Sequence, residues 1–465
     1  MERVEIAIIG SGPAGMFAAH ELSGSGASVA IIEMGKDVEN RKCSVHNFLS
    51  CSLCNPCNIS HGVGGSGTFT DFKLSLSPEI GMYQNELFSS EELEKLIKKA
   101  DDVFCSYGVP KESFDGGDTA SRLITEARRH DITFIKYPQK HIGTENAVRV
   151  IKAFEQDLMQ SGTIFMTGTK IEKIRRNGKG FLLENGGKEI SADYVFLCPG
   201  RSMSSWSAEQ ADSLGLKTRN LPVDIGVRLE MPSDVFEEAI PSDIYDPKLL
   251  CWPDPYRDKV RTFCTNRGGF VVTERVEGFV NVNGHCFKGR KSSCTNFAFL
   301  STVNLTHPFS DTLQYGRNIL EQMNMVGSGK PIIQRLVDFN SGRRSTWEKI
   351  NAERSGEPTL RDIVPGDISL ALPGRITDNI RHGLDKIDKL VNFPPRETFL
   401  YGPEIKFYPK RIEVVGKSME AACTDGKPSG IFVAGDGVGW SRGIMGAAVS
   451  GMTAALGLKE KLNAA

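Results

Sequence analysis

The residues of this chain best suited to chemistry are three glycine clusters, a cysteine run and a few isolated polar side chains. Gly10-Ser11-Gly12-Pro13-Ala14-Gly15 has the spacing G-x-G-x-x-G. In such a loop the first glycine permits a tight turn and the second lets the backbone approach a pyrophosphate. The third lets helix and strand pack closely, and the helix N-terminus stabilises the negative charge. Glu33 stands 18 residues after Gly15, with Met34 beside it, where a carboxylate can accept bonds from ribose hydroxyls. A second cluster, Gly62, Gly64, Gly65 and Gly67 with Ser66, Thr68 and Asp71, offers backbone N–H groups to a phosphate or to an electron-rich ring. A third comprises Gly435, Asp436, Gly437, Gly439, Gly443, Ile444, Met445 and Gly446. Of 48 glycines, 12 lie in these three loops, so the glycine surplus is concentrated rather than scattered.

Cys43, Cys51, Cys54 and Cys57 precede His61 at spacings that three readings fit: plain thiols, a redox dithiol at Cys54 and Cys57, or a metal or cluster site. The absence of a fourth cysteine at the place of His61 argues against the cluster, and no metal ligand set is assigned. Cys264 and His285 are candidates for contact with substrate. Arg442 can balance a negative charge or bind a carboxylate. Each also has a plain alternative as a buried thiol, a structural imidazole or a surface cation.

Val4 to Ile9 reads as a buried parallel strand, Pro13 to Leu22 as a helix and Ser28 to Ile32 as a second strand. Ser89 and Glu92 can form a capping box for a helix carrying Leu93, Leu96, Ile97, Ala100, Val103 and Phe104. Another helix is expected over 145–161. Strands are expected over Thr163 to Ile174 and Gly180 to Leu183, joined at Asn177-Gly178, then at Asp193 to Leu197, and finally at Gly430 to Ala434 before a helix over 444–461. The texture between 215 and 410 is shorter, richer in proline and aromatic residues, and largely β. The expected architecture is α/β: a Rossmann-like cofactor domain over 1–214 and 411–465, with a helical segment at about 76–162, and an inserted, largely β (α+β) substrate domain over 215–410.

The balance of 56 Lys+Arg against 57 Asp+Glu gives no electrostatic invitation to nucleic acid or anionic membrane, so neither is expected as a partner. No apolar run reaches the ~18 residues of a bilayer crossing. Glu2, Arg3 and Glu5 leave no room for a signal peptide, and the odd total of 11 cysteines suits reduced thiols, so a cytoplasmic location is expected.

Ile431 to Gly437 resembles the second flavin-binding motif of two-dinucleotide-fold flavoproteins, whose Asp, here Asp436, binds the ribityl and pyrophosphate region of FAD. Thr169-Lys170-Ile171 resembles the strand that reads adenine in such proteins, and Cys198-Pro199-Gly200 the loop that closes over the nucleotide. Nearly the whole chain resembles a bacterial family of FAD-dependent, NAD(FAD)-utilising dehydrogenases. The matching stretches are Cys54-Asn55-Pro56-Cys57, Gly62 to Gly67, Asp71 to Leu74, Arg261 to Cys264, Asn283-Gly284-His285, Tyr401 to Phe407 and Gly435-Asp436 to Gly443-Ile444. Ser66 and Phe72 stand where that family has Ala and Gly. The resemblance implies FAD and a dehydrogenase passing hydride between flavin N5 and a small organic substrate. No second G-x-G-x-x-G follows a strand, so NAD(P)H is expected only as a transient electron donor. A flavin-dependent monooxygenase, a flavin-binding RNA-modifying protein and a non-catalytic interaction protein remain as alternatives.

Overall fold

In the computed structural model, the described residues are 2–43, 54–69, 72–276, 278–286, 290–352 and 357–463; Cys51 and Asp71 lie outside them. The chain divides into two compact units, Met1–Ser113 with Tyr137–Leu221 and Pro409–Ala465, and Phe114–Lys136 with Pro222–Tyr408.

In the first unit, β1 (Glu2–Ile9) and β2 (Val29–Ile32) are parallel, with Ile6 opposite Val29 and Ile9 opposite Ile32. Their apolar side chains are buried on both faces, as a parallel strand covered by helices requires. Across the sheet the order is Glu420–Ala422, Pro428–Val433, Lys188–Leu197, β1, β2 and Ile164–Met166. The chain moves from β1 to β2 in one direction, while Lys188–Leu197 flanks β1 on the other side. The carboxyl ends of β1 and Lys188–Leu197 therefore form a topological switch point, where open α/β sheets take their ligands. Helix α1 (Pro13–Leu22) packs on the C-terminal helix Ile444–Asn463 so closely that a Cβ on Gly451 would strike the carbonyl oxygen of Ala14. The helix α2 (Ser90–Ser106) starts at the expected capping box: the Glu92 N–H donates to Ser89 Oγ at 3.3 Å and the Ser89 N–H to Glu92 Oε2 at 2.8 Å.

The expected strand from Thr163 to Ile174 is interrupted. Strands run only at Ile164–Met166 and Lys173–Asn177. Between them the Gly168 N–H donates to the Gly35 carbonyl and the Thr169 N–H to the Glu33 carbonyl, so this backbone serves the end of β2 rather than a ladder.

The second unit is built on an eight-stranded, mostly antiparallel sheet. Its order is Val364–Pro365, Ile332–Arg335, Phe399–Lys406, Val223–Pro232, Cys294–Val303, Val260–Asn266, Lys248–Cys251 and Ile132–Ile135. The edge strand Ile132–Ile135 comes from the segment that sequence reading assigns to the cofactor domain. It belongs here because Phe134 pairs with Leu249 and Ile132 with Cys251. The helices Thr312–Val326 and Gly374–Val391 bury Ile319, Leu320, Met323, Ile380, Leu384 and Ile387 in the same core as this sheet, each such side chain contributing ~1.5–3 kcal/mol.

Candidate cofactor site and a buried polar cluster

At the end of β1 the chain turns on Gly10, whose φ of +103° suits glycine and whose Cβ, if present, would lie 2.5 Å from the Cys198 carbonyl oxygen. Gly15 is glycine because a Cβ would strike the Gly10 carbonyl. Gly12 differs: beside it only the Gly65 Cα comes within 4 Å, at 3.8 Å, so packing does not forbid a side chain there. The open face is what a ligand approaching the backbone needs. Around it the loops interlock. The Gly64 N–H donates to the Ser11 carbonyl at 2.9 Å, and the Gly437 N–H to the Pro199 carbonyl at 3.0 Å. A Cβ on Gly67 would lie 2.6 Å from Ile444. Thus Gly10 to Gly15, Gly64 to Thr68, Pro199-Gly200 and Gly435 to Met445 gather at one edge of the first unit's sheet.

Two observations say what this edge can hold. Helix α1 begins with Gly12 as N-cap and Pro13 in the first turn, without a capping side chain or an acidic residue, so its N-terminus remains available to an anion. The hydroxyl of Thr68, fully buried under the second glycine loop, has no hydrogen-bond partner among the described residues. A glycine cradle, an uncapped helix end and an orphan hydroxyl fit a pyrophosphate-bearing cofactor.

Glu33 is placed as expected, at the end of β2, but its carboxylate is engaged. Oε2 accepts from the Ser11 N–H at 3.0 Å and the Ser11 hydroxyl at 2.8 Å; Oε1 accepts from the N–H groups of Gly35 at 2.8 Å and Gly62 at 2.9 Å. It ties both glycine loops to β2, and a ribose hydroxyl would have to displace one of these donors. Met34 beside it is half-buried. Asp436 organises the third loop: it accepts from the Ser441 hydroxyl at 2.6 Å and the Gly443 N–H at 3.3 Å, and Arg201 lies 3.6 Å away. Arg442 donates its N–H to the Gly81 carbonyl at 2.7 Å, which pins the turn before Ile444. Ile171 is buried, in the non-strand segment that joins β2.

Sequence reading missed Ser11, Arg41, Gly81, Arg201 and Ser441. Arg41 is 3% exposed, and its guanidinium donates to the carbonyls of Asn58, Ile59 and Val63 at 2.6–3.0 Å. Burial lowers its pKa to about 10, against the opposing pull of Glu33 and Cys57. No spacing rule announces such a residue, since its partners are main-chain carbonyls. Burial pushes the Cys57 thiol up, but the N–H groups of Ser60 and Ile59, the Ser60 hydroxyl and Arg41 outweigh it and hold the thiol below its ordinary range. Cys43, Cys54 and Cys57 are free thiols. Among the described residues no three His, Cys, Asp or Glu side chains group to hold a metal ion.

Cys264 and His285 belong to the second unit, at a buried polar cluster. Arg228 and Glu404, on neighbouring antiparallel strands and both fully buried, bond at 2.7 and 2.8 Å, with Lys406 2.9 Å from the same carboxylate. Burial alone would lower the pKa of Arg228; Glu404 instead holds it above the ordinary value. Arg228 also donates to Asn296 at 2.9 Å and to the Cys264 carbonyl at 3.3 Å, which accepts from Asn266 at 2.8 Å as well. Cys264 sits at φ +49°, rare for a residue with a Cβ. Gly284, next to His285, faces Asn266, Arg228 and Asn296 at once, leaving no space for a Cβ. The cluster thus brings the strand ends of Cys264 and His285 together, while Arg442 lies in the other unit.

Residues 222–406 match the family described as FAD-dependent protein, C-terminal domain-like, and residues 4–107 match that of pyridine nucleotide-disulphide oxidoreductase. An uncharacterised protein of Clostridium beijerinckii is 25% identical over 486 residues, covering 98% of this chain and 81% of its own length. Among solved structures, NikD, an unusual amino acid oxidase essential for nikkomycin biosynthesis, is 10% identical at a TM-score of 0.42, over 99% of this chain and 95% of its own. L-proline dehydrogenase from P. horikoshii is 11% identical at a TM-score of 0.40, over 99% of this chain and 94% of its own. Among the described residues no helix is long and apolar enough to cross a membrane. With a doubly wound sheet whose glycine loops meet at its carboxyl edge, and a family match in each unit, this chain is an FAD-dependent oxidoreductase.

Proposed function

We propose that the protein is a dehydrogenase that passes a hydride between flavin N5 and a small organic substrate, with NAD(P)H as a transient electron donor. The observation that carries the cofactor part is the open face at Gly12, at the uncapped start of α1. In this reading the N–H groups at the start of α1, from Gly12 to Gly15, and the loop Gly64 to Thr68 bind the pyrophosphate. Asp436 holds the Gly443 turn so that Gly443, Ile444 and Met445 present backbone to the ring system, and Pro199-Gly200 closes the nucleotide side. When bound, FAD supplies a two-electron acceptor and donor. Arg442 offsets negative charge near that turn. Cys264 and His285 contact substrate in the second unit, where Arg228 and Asn266 fix the Cys264 backbone.

The test is the absorption spectrum of the purified protein with quantification of released FAD, followed by anaerobic reduction with candidate donors. A flavin spectrum with about one FAD per chain and slow reoxidation in air supports a dehydrogenase. A colourless protein without releasable FAD overturns the reading, and rapid oxygen use with NAD(P)H and substrate replaces it with a monooxygenase.

A further inference from the structure

Away from the cofactor edge, the first unit holds a lysine and a cysteine in an unusual pairing. Lys140, on the strand Gln139–His141, is 2% exposed, and its ammonium is gripped by both Asp101 oxygens of α2 at 2.7 and 2.6 Å. Four residues further along α2, on the same face, Cys105 places its sulfur 3.3 Å from the same nitrogen. The sulfur lies 3.6 Å from the Pro110 carbonyl, an acceptor for the thiol hydrogen that leaves a sulfur lone pair to the lysine. Cys105 is half-buried, which leaves it reachable by a small oxidant, whereas Lys140 is held by its ion pair.

We propose that Cys105 and Lys140 form a covalent nitrogen–oxygen–sulfur bridge in the presence of dioxygen. The ammonium first gives a proton to Asp101, the base already bonded to it. The amine then loses one N–H hydrogen and the thiol its S–H hydrogen. One atom of dioxygen becomes the bridge, forming an N–O and an O–S bond, and the other leaves as water with the two hydrogens. The nitrogen and the sulfur each give up two electrons, which together reduce one dioxygen. The bridge ties α2 to the strand Gln139–His141, and like other singly oxidised cysteine states it is open to reversal by thiols.

The experiment compares the full chain, with its cofactor, kept in air and kept anaerobically, each alkylated under denaturing conditions and digested. In the aerated sample the peptide with Cys105 is expected joined to the peptide with Lys140, their summed mass increased by one oxygen and decreased by two hydrogens. One fewer thiol than the 11 of the sequence is alkylated, and dithiothreitol restores it. Cys105→Ser leaves the Lys140–Asp101 pair in place and Lys140→Arg keeps a cation there. Each is expected to abolish the link while its melting temperature shows that the fold is retained. Recovery of Cys105 in aerated wild-type protein only as free thiol, sulfinic acid or a disulfide overturns the proposal, as does a link that persists in Lys140→Arg.

Discussion

At the residue scale, Gly12 and Gly15 separate ligand binding from packing. Gly12→Ala meets no close neighbour, so the unfolding free energy of the cofactor-free protein should stay within ~0.5 kcal/mol of wild type while FAD binding weakens about tenfold or more. Gly15→Ala drives its Cβ into the Gly10 carbonyl and should lower the midpoint itself. Chemical denaturation and FAD titration on both variants check the split. Glu155, on the helix Gly143–Gln160, makes a second residue-level prediction. Burial, with Asp37 and Glu39 nearby, raises its pKa to about 7. Its folded pKa lies above the unfolded value, so it favours the fold at low pH, and that contribution is lost as pH rises from about 4.5 towards 7. Glu155→Gln should flatten the melting temperature over this range, and a scan with the same slope as wild type would refute the assignment. The glycine spacing and Asp436 were readable in the sequence because close backbone approach demands a residue type. Arg41 and Ser441 were not, because one is defined by carbonyls it touches and the other by a neighbour whose own role the motif does not specify.

At the element scale, Glu33 couples the ends of β1 and β2 to the second glycine loop. Glu33→Ala leaves the buried N–H groups of Ser11, Gly35 and Gly62 without their acceptor, each at ~1–3 kcal/mol. The expected outcome is a lowered unfolding midpoint together with lost FAD; a loss of FAD with unchanged stability would instead assign the carboxylate to the ribose alone. Elements with local signals were legible: the capping box starts α2 at Ser90, and the C-terminal helix starts at Ile444, in the small-residue stretch expected to form it. The break at 167–172 was not, because it is set by distant partners: the carbonyls of Gly35 and Glu33 take the N–H groups of Gly168 and Thr169, and that of Glu184 takes the N–H of Glu172. Nor was the placement of Ile132–Ile135, whose partner strand begins more than 100 residues later.

At the scale of the whole molecule, each unit keeps its own core, and the second is staked on the Arg228–Glu404 pair. Glu404→Leu alone strands a buried guanidinium and should cost ~3–5 kcal/mol. Arg228→Met with Glu404→Leu removes the paired charges, leaves Lys406 with Glu274 at 4.0 Å, and should recover part of that loss in urea denaturation. Recovery absent from the double variant would mean that the guanidinium's bonds to Asn296 and Cys264, not the ion pair, hold the strands.

The edge strand Ile132–Ile135 also bears on how this chain can be cut or inherited. Neither unit is a continuous stretch, and the family match over 222–406 stops one strand short of the sheet it describes. Expressed alone, that stretch would expose the backbone of Lys248–Cys251 as a bare edge, a template for pairing with other chains. A permuted fragment that joins 114–136 to 222–408 would cover it. The two units therefore form a modular pair only as a woven one, and an insertion, fusion or domain exchange that respects the linear boundary at 222 breaks the sheet it was meant to keep.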